Sequence, residues 1–147
     1  MANPYIGFEG LLYDVLVDNE LSGNESLAYQ LSKPASLTSG WAFGVPQFDL
    51  GIKPNSIPNN PLAGSILDNI LSNATNSQGQ LIISPTELSS LEQAAEAVGN
   101  GNSLTSVQQA KINSALSSPY GQQVINQNTG PWLERNRPVS TALIDPS

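Results

Sequence analysis

The chain has 147 residues, 12 acidic against 5 basic side chains, no cysteine and no histidine, and a formal net charge of −7. That length suits one domain with a core of its own, and the missing residue types exclude disulfides, thiolate chemistry, histidine–metal sites and Ser-His-Asp triads. With five cations against a phosphate backbone, nucleic-acid binding is not expected.

In chain order, residues 4–20 predict a first helix, with Asn3 as N-cap and Pro4 at its first position. Tyr5, Phe8, Leu12, Val15 and Leu16 form its apolar face, with Leu11 beside them, and Gly23 is placed to end it. Glu25 to Leu31 is expected to be a short helical turn or strand. Ser39 to Gly51 carries three glycines, three aromatics, a proline, a glutamine and an aspartate in thirteen residues, and predicts a β-hairpin with tight turns at Gly40 and Gly44.

The helical remainder spans residues 61–127. Leu62 to Ser72 predicts a helix facing inward through Leu62, Ile66, Leu67, Ile70 and Leu71. Ser84-Pro85-Thr86-Glu87 is a capping-box pattern opening a helix toward Val98, and Gly99 to Asn102 stops it. Thr105 caps Ser106 to Leu116, expected to turn Val107, Ala110, Ile112 and Ala115 inward. Pro119 starts a short helix through Tyr120, Val124 and Ile125, and residues 128–147 read as an irregular tail anchored by Trp132 and Leu133. The fold class expected is mainly α with a small β-hairpin, an α+β single domain over 1–147.

Glu20 is the first candidate for chemistry. It ends an apolar helix, where the negative end of the helix dipole opposes ionisation and favours a general-acid role. Asp49 is the second carboxylate, a water-orienting base or stabiliser of developing positive charge in one reading and a turn-capping aspartate in the other. Gln47, Ser39, Trp41, Phe43 and Tyr29 are candidate substrate contacts; core packing is the alternative for the aromatics and a satisfied strand amide for Gln47. Glu9 and Glu25 rival Glu20 as the acid. An EF-hand-like start at Asp18 fails, because Tyr29 stands at the twelfth position where a bidentate glutamate is needed. No metal and no cofactor are expected.

The run Val-Leu-Val-Asp-Asn-Glu-Leu-Ser-Gly-Asn ending at Asn24 resembles the end of the catalytic helix in the lysozyme and lytic transglycosylase superfamily. Ser39-Gly40 with Phe43-Gly44-Val45-Pro46-Gln47 resembles that family's sugar-lining Gly-x-x-Gln hairpin. Phe48-Asp49-Leu50-Gly51 is similar to a motif of phage-type and pesticin-like muramidases. The resemblance covers residues 8–51 and departs in three places: the Glu20–Gln47 spacing is longer, Ala42 stands near the place where those relatives carry threonine, and the hairpin is a residue longer. It implies a lysozyme-like domain that cleaves β-1,4 bonds of peptidoglycan by hydrolysis or internal transglycosylation. Glu20 would be the acid, and the site of action extracellular or periplasmic. No signal-peptide pattern or membrane-spanning run of about 18 apolar residues is present. The acidic charge opposes an anionic wall polymer, which keeps two alternatives open: a cationic glycan such as chitosan as substrate, or a non-catalytic interaction domain of a larger secreted or virion protein.

Overall fold

A computed structural model describes residues 5, 7–21, 23–34, 40–51, 63–99 and 101–135, without the side chains of Asn19, Glu20 and Arg135. The architecture is mainly helical with one two-stranded antiparallel sheet. The order is α1 (Gly7–Glu20), a 3₁₀ turn (Glu25–Tyr29), β1 (Ala42–Phe43), β2 (Phe48–Asp49), α2 (Ala63–Asn73), α3 (Pro85–Ala95), α4 (Ser106–Ser117) and α5 (Pro119–Arg135).

α1 closes as its sequence predicts. Gly23 takes φ +80° and donates its N–H to Val17 O at 2.9 Å, a carbonyl that also accepts from Leu21 N at 3.1 Å, so the chain turns back on the helix end. The inward face agrees with expectation at Phe8, which is buried, and at Tyr5, Leu12 and Leu16, which pack partly buried against the core. It differs in that Tyr13, Val17 and the following Leu21 are buried, whereas Leu11 and Val15 are 49% and 42% exposed. Apolar residues occupy almost every position from Leu11 to Val17, so periodicity alone does not select a stripe; packing against α5 does.

α2 is the centre of the helical body, in contact with α3, α4 and α5. Its Ile66, Leu67, Ile70 and Leu71 are buried as expected. Residues 75–81 form a tight excursion joined by a Thr75–Leu81 bridge. Asn76 Oδ1 accepts from Gln78 N and Gln80 N at 2.9 and 3.0 Å inside it. Thr105 caps α4 through reciprocal bonds with Gln108 of 2.9 and 3.1 Å. The inward face of α4 is Ile112, Ala115 and Leu116; Val107 is 66% exposed and Ala110 is also on the surface, correcting the expected stripe.

The C-terminal segment is the larger correction. α5 continues through Gly130-Pro131 to Arg135, so residues 128–135 are helical rather than irregular. Pro131 removes the backbone donor that would pair with Gln127 O, and the side chains just before it bond back onto the preceding turn. Asn128 Nδ2 donates to Val124 O and Thr129 Oγ1 to Ile125 O, both at 2.8 Å. Beyond the proline, Leu133 is fully buried and holds the last turn to the core. Residues 136–147 of the expected tail lie outside the described residues, as does Leu62.

Candidate functional site

The hairpin pairs Ala42 with Asp49 and Phe43 with Phe48. Its open end brings two glycine backbones together: a Cβ on Gly40 would lie 2.5 Å from Gly51 N, so neither position has room for a side chain. Asp49 locks this approach. Its Oδ1 accepts from Gly40 N at 2.7 Å and Gly51 N at 2.8 Å. This is the turn-capping use of an aspartate, and it commits one carboxylate oxygen to two backbone donors.

At the other end, Gln47 sits at φ +57°, a conformation rare outside glycine. Its backbone N and side-chain Nε2 both donate to Gly44 O, at 3.0 and 2.9 Å. The amide expected to face substrate is turned onto its own loop. Trp41 and Phe43 are 1% and 0% exposed, and this corrects their expected role as open stacking surfaces. Each is worth more inside: burial of such a ring contributes roughly 2–3 kcal/mol. Trp41 Nε1 also donates to Ser103 Oγ at 2.9 Å, and Ser103 Oγ donates to Ala94 O at 2.6 Å, tying the hairpin to the end of α3.

The segment between α1 and the hairpin is fastened to it. Gly44 N donates to Ala28 O at 2.8 Å, and Ser32 and Ala42 exchange backbone bonds of 2.7 and 3.0 Å. Glu20 is the last residue of α1, with its side chain outside the described residues. Ser39 also lies outside them. Glu25 opens the 3₁₀ turn as a half-buried carboxylate, and Tyr13 OH donates to its Oε2 at 2.8 Å. Burial, this hydrogen bond and the neighbouring negative charge push the Tyr13 phenol far up, so Tyr13 remains a donor. Tyr29 is buried and its hydroxyl donates to Asn126 Oδ1 at 2.9 Å. Glu9 lies half-buried in the early part of α1. The structure therefore gathers the 3₁₀ turn, with Glu25 and Tyr29, and the hairpin, with Asp49 and Gln47.

A second group of carboxylates was not anticipated. Asp68 on α2, Glu92 on α3 and Glu96 just past its end share a cleft of about 300 Å³ with Leu88 and Gln93. Burial pushes the Glu92 carboxyl up to about 7, reinforced by a hydrogen bond with Asp68 and by the charges of Asp68 and Glu96. Glu92 and Glu96 are one turn apart, which a sequence can show, but the pairing with Asp68 arises only when α2 and α3 dock. Hydrogen-bonded carboxyls sit closer than the roughly 5 Å or more that separates the two carboxyl groups of glycosidases. Among the described residues, no group of three acidic side chains has a metal-holding arrangement, and no helix is long and apolar enough to cross a membrane. No protein-family model matches this chain, and neither does any curated protein or solved structure.

Proposed function

We propose that the chain is a lysozyme-like glycan-cleaving domain acting outside the cytoplasm on β-1,4 bonds of peptidoglycan. Glu20 supplies the proton to the leaving oxygen. The resulting oxocarbenium-like centre is captured by water in hydrolysis, or by the sugar's own hydroxyl in transglycosylation. The observation that carries this reading is the attachment of the post-α1 segment to the hairpin, through Gly44 N to Ala28 O and the Ser32–Ala42 bridge. It fastens the segment that follows the first sequence pattern to the hairpin that carries the second. Asp49, with Oδ1 held by two amides, acts here by shaping the hairpin. Glu25, oriented by Tyr13, is the nearest rival acid.

Digestion of purified sacculi, with soluble products identified by mass spectrometry, tests the proposal. Wild type is expected to release reducing-end or anhydro-muropeptides, and folded Glu20→Gln to release none. Loss in Glu25→Gln with retention in Glu20→Gln transfers the proton donor to Glu25. No product from folded wild type overturns the reading.

A second reading, a non-catalytic interaction domain, is favoured by the burial of Trp41 and Phe43, which leaves those aromatics unavailable for stacking. It predicts that wild type releases nothing from sacculi.

A further inference from the structure

A groove of about 610 Å³ runs where the 75–82 excursion meets the end of α4 and the start of α5. A second cavity, of about 450 Å³, lies against the 3₁₀ turn and shares Ser114 and Ser117 with the first. Both volumes fall within the roughly 300–1,000 Å³ typical of small-molecule sites.

The lining chemistry is specific. Among the described residues, neither cavity is lined by a charged one, although the whole chain carries a net charge of −7. Ile82, Pro119 and the half-exposed ring of Tyr120 give the larger groove apolar surface. Tyr120 OH donates to Asn69 Oδ1 on α2 at 2.7 Å, which fixes the orientation of the ring. Around it stand Ser77, Ser114 and the exposed amide of Gln123. The smaller cavity continues in the same style with Gln30, Asn113 and Gln122 beside Tyr29.

An anionic ligand finds no cation among the described lining residues. The start of α5 offers little in place of one, because Gly121 N already donates to Ser118 Oγ at 3.1 Å and Gln122 N to Ser118 O at 2.9 Å. A purely apolar ligand would strip water from amides and hydroxyls without replacing their hydrogen bonds. A carbohydrate meets both demands: its C–H face covers an aromatic or aliphatic surface, and its hydroxyls pair with amides and serines.

We infer that the two cavities that flank Ser114 and Ser117 form a binding surface for a neutral oligosaccharide, with the Tyr120 ring as its platform. The groove is built from elements other than the hairpin and does not require the chain to cut glycan. Two neighbouring compartments with Ser114 and Ser117 in common suit successive sugars of one linear chain.

Amide-resolved NMR titration of the full chain with the tetramer of N-acetylglucosamine, and separately with cellotetraose, tests the inference. Saturable shifts are expected at residues 75–77 and 113–123 for at least one sugar, and the stronger binder names the sugar type. Tyr120→Ala is expected to weaken binding about tenfold through loss of the ring face. Gln123→Ala removes an exposed amide that has no internal partner among the described residues, so it keeps the fold and is expected to weaken binding several-fold. It decides the matter if Tyr120→Ala fails to fold. Absence of saturable shifts at millimolar sugar, shifts confined to residues 40–51, or wild-type affinity in Gln123→Ala each overturns the inference. Binding in the groove with no cleavage of sacculi would remove the catalytic reading and leave the groove standing.

Discussion

Asp49 and Glu92 carry the same chemical group in opposite settings. Asp49 faces two backbone donors, Gly40 N and Gly51 N, and one of its oxygens closes the hairpin. Glu92 faces Asp68 and Glu96, and burial with those neighbours holds its carboxyl up near 7. What surrounds a carboxyl decides its use: donors make it a structural clasp, whereas other carboxyls make it a proton store. Ser103 links the two regions, since it bonds Trp41 in the hairpin's first arm and the Ala94 carbonyl on the helix that carries Glu92.

The hardest way to break the clasp is to fill it. Gly40→Ala places a methyl against Gly51 N and is expected to cost roughly 3 kcal/mol in chemical denaturation. A loss below half of that would show that the two backbones separate easily. Asp49→Ala leaves the geometry but removes the acceptor shared by two amides, at an expected cost of roughly 2–3 kcal/mol. Asp49→Asn, which keeps an acceptor oxygen, is expected to recover part of it.

Ser103→Ala tests the link. It leaves the indole N–H of the buried Trp41 without its partner, and the expected loss is about 1–2 kcal/mol. In a double-mutant cycle with Trp41→Phe the two losses should not add, because both remove one interaction. Additive losses would mean that the hydrogen bond contributes nothing.

The smallest effect belongs to Glu92 and appears as a slope with pH. A carboxyl whose pKa is higher folded than unfolded binds more protons in the folded state, so its stabilising contribution is complete below the unfolded value. It is lost as pH rises from about 4.5 toward about 7. Solvent access to the cleft screens the effect. Melting temperature should therefore fall modestly across that window in wild type, and Glu92→Gln should flatten the fall. An unchanged slope in Glu92→Gln would assign the titration to other groups.

Local signals in the chain match the structure closely where one short segment contains both partners. Gly23 ends α1, Thr105 and Gln108 cap α4, and the Gly/aromatic run at 40–51 makes the hairpin. Each depends on residues within a few positions of one another. The α5 continuation past Pro131 was not legible, because a proline is a stop signal unless tertiary packing, here the burial of Leu133, holds the turn beyond it. The candidate site divides in the same way. The capping role of Asp49 could be read from Gly51 two residues on, but not its second bond to Gly40, nine residues away.

By itself, then, the sequence determined a mainly helical chain with one small hairpin, its helix ends, and the exclusion of thiol and imidazole chemistry. These follow from composition and from contacts a few residues long. Tertiary structure decided which stripe of α1 and of α4 turns inward and that Trp41 and Phe43 fill the core. It also decided that Asp68 meets Glu92 and that two cavities without charge among their described lining residues lie side by side at Ser114 and Ser117. Those outcomes depend on residues distant in the chain, and only docking of whole elements selects which of several compatible faces gives up its water.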